Sequence, residues 1–399
     1  MKYIVTKMRR FCGFIAGFVF YISGILKLLD PVGAGLVMDG YLDFLHLGFL
    51  DFSSKALATV FALAEALIGA ALITGVWRKP TATAALALQG FFTLLTLALV
   101  IFNPEMDCGC FGEAIHLTHL QTFIKNIILM LILAGGFIPL RELGRPKKRK
   151  YTSFGIVVAS TLAFTVYSWM YIPLVDFTEY DTTSMLQAAR DESEEDIYEA
   201  TFIYEKDGNQ QKFDLEHLPD STWTFVSTEM TAKEEYMDKT VNLSFYDTEG
   251  NYRDSLATEG KIMVVSVYDP DMKESRWEDI ARFSESAAET GFRPLILIAD
   301  KGNDVLKLIP EHLESVLSQD TYLSDYKTLI TLNRSNGGVT YFSHGYLIRK
   351  WAARVMPDTE ELRELQAEAE TETMIGHSSQ SGLVFQSFLL YVFAVMLLL

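Results

Sequence analysis

Long apolar runs dominate the chain up to about residue 173, and one more lies at its C-terminal end. A helix needs roughly 20 mostly apolar residues to cross the hydrocarbon core of a bilayer. The pattern therefore predicts five spanning helices and a shorter sixth candidate. The predicted spans are residues 11–29, 56–76, 82–102, 120–140 and 154–173, and the sixth candidate is residues 383–399.

Basic residues in the short loops predict how these helices are oriented. Lys and Arg occur before the first predicted span, after the second and after the fourth, whereas residues 30–54 and 103–119 contain neither. Cytoplasmic loops carry the excess of Lys and Arg. We therefore expect a multi-pass protein of the bacterial inner membrane, with a cytoplasmic N-terminus. The loop at 103–119 and the large domain after the fifth span would then be periplasmic.

Polar, acidic sequence begins at Asp176 and continues to about residue 382. The separation of this region from the apolar runs explains how a chain with 49% hydrophobic residues has a formal net charge of -17. Nucleic-acid binding would require a basic face, so the composition argues against a nucleic-acid partner. Residues 176–199 read as a linker, because they are polar and strongly acidic.

Strand and helix signals follow one another through the acidic region. Hairpins are predicted at 201–213, turning at Asp207-Gly208-Asn209, and at 241–256, turning near Glu249-Gly250. The order then becomes strand, helix, strand, helix, hairpin, helix. These elements are predicted at 262–268, 274–290, 294–299, 304–317, 338–342 with 346–351, and 359–370.

This order resembles the thioredoxin fold over about residues 240–370, but it lacks that fold's reactive groups. Asp269-Pro270-Asp271-Met272 occupies the place of the Cys-x-x-Cys motif, and Asn336-Gly337-Gly338 occupies that of the cis-proline loop. A domain without cysteine cannot exchange disulfides itself. The resemblance implies a domain that binds a periplasmic protein partner, or a scaffold.

Three cysteines are present, and two of them flank a glycine in the loop after the third span. We expect Cys108 and Cys110 to form a disulfide in an oxidising compartment. A ring closed over one residue would be strained and therefore reducible, which favours a redox pair over a structural clip. A metal site formed with His116 and His119 is a minority interpretation, because the spacing is not a standard zinc pattern. Cys12 lies too deep to pair with the other two.

Ionisable and amide side chains inside the spans are the second candidate feature, because hydrocarbon penalises them. Glu65 and Gln89 lie midway along the second and third spans, and Lys125 and Asn126 lie near the outer end of the fourth. With Lys27, these depths predict a polar cluster beneath the cysteine loop. The cluster could form a quinone or proton site, with Glu65 taking up protons. Alternatively it is a packing network, with Lys27 extending to the membrane surface.

Two segments resemble known membrane families over about residues 9–140. Residues 23–31, Ser-Gly-Ile-Leu-Lys-Leu-Leu-Asp-Pro, are similar to the first-helix signature of the DoxX proteins. Residues 107–112, Asp-Cys-Gly-Cys-Phe-Gly, together with 117–118 and 122–126, resemble MauE, the methylamine-utilisation membrane protein. The resemblance implies a four-helix, redox-associated bundle that serves the maturation of periplasmic proteins.

The predicted architecture is thus a membrane α-helical bundle joined to a C-terminal α/β thioredoxin-like domain. Its expected parts are the bundle at 1–141, a basic loop and fifth span at 142–173, an acidic linker and small β unit at 174–239, the thioredoxin-like domain at 240–371, and a linker with the last span at 372–399. The first functional hypothesis is a membrane thiol–disulfide oxidoreductase coupled to quinone. The second is a non-catalytic assembly factor whose external domain binds a partner.

Overall fold

The computed structural model describes residues 2–104, 106–138, 148–181, 184–186, 198–206, 209–213, 219, 223–232, 240–300, 308–367 and 370–399. The chain divides into two compact units. We call Met1–Phe177 with Ser381–Leu399 the membrane unit, and Thr178–Gln380 the second unit.

Among the described residues of the membrane unit, five helices are long and apolar enough to cross a bilayer, which confirms the five predicted spans. The helices are α1 Lys2–Leu29, α2 Pro31–Phe44, α3 Ser54–Thr74, α4 Arg78–Phe102, α5 His119–Phe137 and α6 Lys148–Met170, and the candidate spans are α1 and α3–α6. The C-terminal helix runs from Glu370 to Leu398, and its apolar part, Gly382–Leu398, is shorter than the others.

Glycines bring α1 and α3 into close backbone contact. A Cβ added at Gly24 would lie 2.6 Å from the carbonyl oxygen of Ala62, and one added at Gly69 would lie 2.4 Å from the backbone nitrogen of Tyr21. Small residues at helix interfaces allow such an approach inside a membrane, where packing rather than water drives association. The α1–α3 pair therefore forms the closely packed part of the unit.

The region 30–54, expected as a loop, contains helix α2 and a 3₁₀-helix, Gly48–Ser53. Asp30 caps α2, because its Oδ1 accepts hydrogen bonds from the backbone N–H groups of Val32 and Gly33, and Pro31 occupies the first turn. Asp followed by Pro is a strong helix start signal. The prediction of a loop was wrong. Helix α2 has only 14 residues, too few to span a bilayer, so it does not give the long apolar run of a spanning helix.

The second unit contains an eight-stranded mixed sheet and a three-stranded antiparallel sheet among its described residues. After the short strand β1, Cys110–Glu113, in the membrane unit, the strands are β2 Met185–Leu186, β3 Tyr198–Lys206, β4 Asn209–Phe213, β5 Thr224–Ala232, β6 Thr240–Val241, β7 Phe245–Tyr246, β8 Lys261–Val267, β9 Arg293–Ala299, β10 Thr321–Ser324, β11 Gly338–Ser343 and β12 Tyr346–Trp351. The larger sheet has the order β6-β2-β12-β11-β8-β9-β10-β7.

Both faces of the larger sheet are buried. Met263 and Val265 of β8 pack on one face, in a cluster with Trp277. Ile262 and Val264 pack on the opposite face, in a second cluster. Because neighbouring residues of a strand point to opposite faces, a strand buried on both sides must be apolar throughout. The continuous apolar run in the sequence is thereby explained.

The predicted order from residue 261 onward is present, with helices α7 Glu274–Glu289, α8 Glu311–Leu317, α9 Tyr326–Leu332 and α10 Thr359–Ala367. The predicted helix at 304–317 instead begins at Glu311, after Pro310, and residues 301–307 lie outside the described residues. Strand β10 and helix α9 were not predicted. Both are short, so they give a weak periodic signal.

The predicted hairpin at 201–213 is confirmed as the antiparallel pair β3–β4, although residues 207–208 of its turn lie outside the described residues. The predicted turn near Glu249-Gly250 is also present, but the hairpin is shorter than the predicted 241–256. Val241 pairs in parallel with Leu186, and the turn closes with an isolated bridge between Tyr246 and Tyr252. Part of the presumed linker thus joins the sheet through β2. Most of the remaining linker lies outside the described residues.

A cavity beneath the cysteine loop

A cavity of about 320 Å³ lies within the membrane unit. Its walls are mainly apolar side chains of α1–α5, and its polar lining includes most of the residues singled out in the sequence. Seven of those residues line it: Lys27, Glu65, Gln89, Cys108, Cys110, Lys125 and Asn126. The structure therefore brings the predicted polar cluster and the cysteine loop to one place.

Two hydroxyl groups hold the cysteine loop through its backbone. The Tyr41 hydroxyl donates to the carbonyl oxygen of Cys108 at 2.7 Å, and the Ser23 hydroxyl donates to that of Cys110 at 2.6 Å. Neither Tyr41 nor Ser23 was singled out as a site residue. Their sequence signal is weak, because only the fold brings α1 and α2 to the loop.

Gly109 permits the tight path of the loop between the two cysteines. Its φ is +55°, in the left-handed region that side chains rarely adopt. A Cβ at this position would lie 2.4 Å from Cγ1 of Val37. Both the backbone conformation and the available space therefore require glycine here.

Cys108 and Cys110 are free thiols in the structure, as is Cys12, so the predicted disulfide is not present. Cys108 is buried, with 4% of its surface exposed, whereas Cys110 is half-buried. Burial raises the pKa of the Cys108 thiol above its usual value, and the neighbouring Cys110 adds to this effect. Cys108 is therefore held mainly as the thiol at neutral pH, and deprotonation requires help from its surroundings.

Lys27 and Glu65 form an ion pair between α1 and α3. The Lys27 Nζ donates to Oε2 of Glu65 at 2.6 Å and to the Ser23 hydroxyl at 3.2 Å, and it lies 5.5 Å from the centre of the Phe92 ring. The alternative in which Lys27 extends to the membrane surface is therefore wrong. A buried charge in a span needs a partner of opposite charge, and Lys27 and Glu65 are partners of this kind.

Gln89 and Asn126 link α4 to α5 through buried hydrogen bonds. Gln89 Nε2 donates to the carbonyl oxygen of Asn126 at 3.1 Å, and Asn126 Nδ2 donates to the Thr96 hydroxyl at 3.2 Å. These contacts match the packing alternative for both amides.

The Lys125 ammonium lies 4.8 Å from the centre of the Phe111 ring, and Phe111 belongs to the cysteine loop.

His116 and His119 do not join the cysteines in a metal site. His119 Nε2 lies 2.9 Å from the Met106 carbonyl oxygen, and His116 Nδ1 lies 3.6 Å from Oδ2 of Asp107. In the described part of the chain, no three of the residues Cys108, Cys110, His116 and His119 have ligand atoms within 4.8 Å of one another. The minority metal interpretation is therefore not supported. Thr118, between the two histidines, caps α5.

A comparison with family models locates the relationship of this region. Residues 2–139, which contain α1–α5 and the cysteine loop, match the family described as "Methylamine utilisation protein MauE". The chain is a multi-pass membrane protein whose N-terminal region is similar to MauE. Residues 198–235, in the second unit, match a domain of unknown function, DUF8463. The chain has no match among curated proteins or solved structures.

Proposed function

We propose that this MauE-like protein is a membrane thiol–disulfide oxidoreductase. Cys108 and Cys110 cycle between dithiol and disulfide, and the electrons pass to a quinone held in the cavity. The cavity supports this proposal, because its wall contains both cysteines and its interior lies among the spanning helices. The expected role is oxidation of thiols in periplasmic proteins during their maturation.

The proposed chemistry balances in two steps. In the first, a client dithiol exchanges with the Cys108–Cys110 disulfide, so that the client gains the S–S bond and both loop cysteines gain S–H bonds. In the second, the two S–H bonds break and the S–S bond between Cys108 and Cys110 forms. The two electrons and two protons released reduce a quinone to its hydroquinone.

The lining of the cavity fits a small aromatic acceptor. Its volume of about 320 Å³ lies near the lower end of the range of roughly 300–1,000 Å³ typical of small-molecule sites. Phe61, Phe91 and Phe92 provide apolar walls, and the Lys125 ammonium is a hydrogen-bond donor in the lining. We expect Lys125 to bind a quinone oxygen, because the described hydrogen bonds of the Gln89 and Asn126 amide nitrogens are to protein groups.

The half-buried Cys110 suits the exchange with clients, and the buried Cys108 suits transfer to the acceptor. Attack by a thiolate is required in exchange, so the more accessible sulfur is the natural entry point. Burial raises the pKa of Cys108, so the thiol is the main form at neutral pH and its oxidation requires a group that accepts the proton. Glu65 and Lys27, which line the same cavity, are the proposed route for that proton.

The proposed orientation follows from the basic loops. Arg78 and Lys79, at the start of α4, would lie on the cytoplasmic side. Cys108, in the loop that follows the opposite end of α4, would then lie on the periplasmic side of the bacterial inner membrane. An oxidising compartment on that side is compatible with a disulfide-forming loop.

A thioredoxin-like domain that binds a partner is the proposed role of residues 240–371. The strand order β12-β11-β8-β9, with β8 and β9 parallel, supports that interpretation. The Asn336 side chain accepts a hydrogen bond from the Asp269 N–H at 2.9 Å and donates to the Asp269 carbonyl oxygen at 2.7 Å. It therefore closes the loop where a thioredoxin would carry its cysteines.

A non-catalytic assembly factor is the second candidate function. The absence of cysteine from the second unit favours it, because all three cysteines of the chain precede residue 111. In this alternative the second unit binds the partner and the cysteine loop has only a structural role. The free thiols of the structure are compatible with either candidate.

The redox state of Cys108 and Cys110 in cells distinguishes the two candidates. We would trap thiols by rapid acid quench and count them by mass tagging, with and without quinone depletion, in a Cys12→Ser background. The redox proposal expects a mixed population that becomes fully reduced when quinone is removed. A pair whose state does not respond to quinone would refute the oxidoreductase and leave the assembly factor.

A further inference from the structure

A groove of about 360 Å³ runs along the outside of the membrane unit between α1 and α5. Ile15 and Val19 of α1 form one side, and Ile124, Ile128 and Ile132 of α5 form the other. With the exception of Gln121 and Lys125, its lining side chains are all apolar. Such a surface accepts hydrocarbon.

The groove and the cysteine cavity share part of their lining. Val19, Lys125 and Leu129 contribute to both. These three side chains therefore form the boundary between a space inside the unit and a space on its outer surface. A ligand extending past them would have one end beside the cysteine loop and the other end outside the bundle.

The open side of the groove faces away from the helix bundle. Ile124 and Ile128 are 49% and 53% exposed, although both belong to a candidate span. Large apolar side chains exposed on a spanning helix contact lipid tails. A molecule dissolved in the bilayer can thus reach the groove without passing through water.

We infer that the groove binds the isoprenoid tail of a lipid-soluble quinone whose ring occupies the cysteine cavity. The inference rests on the proposed function and adds the class of substrate: a long-tailed membrane quinone rather than a small soluble acceptor. The volumes suit a division of the ligand between two spaces. The cavity of about 320 Å³ is near the lower end of the range for small-molecule sites, roughly 300 Å³, which suits the ring, and the groove of about 360 Å³ provides separate apolar space for the tail.

Lys125 has a specific place in this arrangement, because it lines both spaces. Its ammonium lies over the Phe111 ring of the cysteine loop, while its side chain forms part of the groove. A long side chain can cover apolar surface with its methylenes and hold its charge at a polar end. Lys125 therefore separates the ring from the tail.

A substitution in the groove tests the inference with two acceptors that share one ring. Ile128→Trp would fill the groove, and Ile127→Trp is the matched control, because Ile127 is exposed on the same helix but lines neither space. The full chain would be reconstituted in nanodiscs with Cys108 and Cys110 reduced. Their oxidation would then be followed with a tail-less quinone and with a long-tailed quinone.

We expect Ile128→Trp to raise the concentration of long-tailed quinone that gives half the maximal oxidation rate by about tenfold, the loss of contact with about two methylene groups. The corresponding concentration of the tail-less quinone should not change, and Ile127→Trp should change neither value. Equal effects of Ile128→Trp on both acceptors, or no effect on either, would overturn the inference.

A binding readout separates this inference from the proposed function. A quinone with a diazirine in its tail would be photolysed with the unsubstituted chain, and the labelled peptides would be identified by mass spectrometry. Labelling centred on α5 and α1, and lost in Ile128→Trp, supports the groove even if neither quinone oxidises the cysteines. Labelling spread evenly over the spans refutes the groove whether or not oxidation occurs.

Discussion

Replacing Glu65 with leucine would leave the Lys27 ammonium inside the membrane unit without its carboxylate. The two charged atoms are 2.6 Å apart, and the side chains are only 17% and 8% exposed. At an effective dielectric constant of about 20, their attraction is about 6 kcal/mol before desolvation is subtracted. Breaking a buried pair by removing one partner costs about 3–5 kcal/mol.

The lower end of that range is expected here, because the Ser23 hydroxyl and the Phe92 ring remain in contact with Lys27. We therefore expect Glu65→Leu to lower the free energy of unfolding of the membrane unit by about 3 kcal/mol. Hydrogen exchange of peptides from α1 and α3, measured by mass spectrometry on the full chain in detergent, reports this local stability.

A double variant, Lys27→Met with Glu65→Leu, provides the control. It removes both charges and leaves two apolar side chains of similar length. Replacing a buried pair by apolar residues is often neutral or stabilising. Protection of α1 and α3 should therefore return to near the original level. If the double variant were as unstable as Glu65→Leu alone, an unpaired charge could not be the cause, and the reasoning would fail.

Three further predictions concern packing, the thiols and the second unit. Gly24→Ala should destabilise the membrane unit by about 1–3 kcal/mol in thermal unfolding, because its Cβ would lie 2.6 Å from the carbonyl oxygen of Ala62. Gly135→Ala is the control: its Cβ would meet nothing within 4 Å, so stability should not change. The pH at which Cys108 is alkylated at half its maximal rate should be higher in the folded chain than in denaturant, because burial raises the pKa of the thiol and less thiolate is present at a given pH. Equal pH midpoints would contradict the burial argument. Asn333→Ala should weaken exchange protection of β11 and β12, because it removes the buried hydrogen bonds from Asn333 to the carbonyl oxygens of Val339 and Trp351, worth about 0.5–1.5 kcal/mol each. Unchanged protection would refute this.

The sequence predicted the elements that have a long apolar signal. The spans were found because about 20 consecutive apolar residues admit few other structures, and β8 and β9 because a run buried on both faces must be apolar throughout. The helix α2 was missed, although Asp30-Pro31 is a readable start signal. Strands β2 and β6 contain two residues each, so they carry no period from which to predict them.

The sequence predicted which residues of the candidate site share a depth range in the membrane, but not which of their side chains contact each other. Depth along each span predicted that Lys27, Glu65, Gln89 and Asn126 lie beneath the cysteine loop, and the structure brings all four to one cavity. Depth does not reveal which helices are neighbours or which way a side chain points. The Lys27–Glu65 pair depends on the contact between α1 and α3, which arises from glycines spaced for close approach.

The ion pair has a second consequence for the proposed chemistry, and the double variant separates it from the first. Glu65 is the one carboxyl group among the described residues that line the cavity, and oxidation of two thiols there releases two protons. We expect Lys27→Met with Glu65→Leu to restore the fold but to slow oxidation of Cys108 and Cys110 by about 100-fold, the usual contribution of a positioned acid or base. The rate would be measured as loss of free thiols after addition of quinone to the reduced protein. A double variant that folds and oxidises its cysteines at the original rate would reduce the Lys27–Glu65 pair to a packing role, and the proton would need another path.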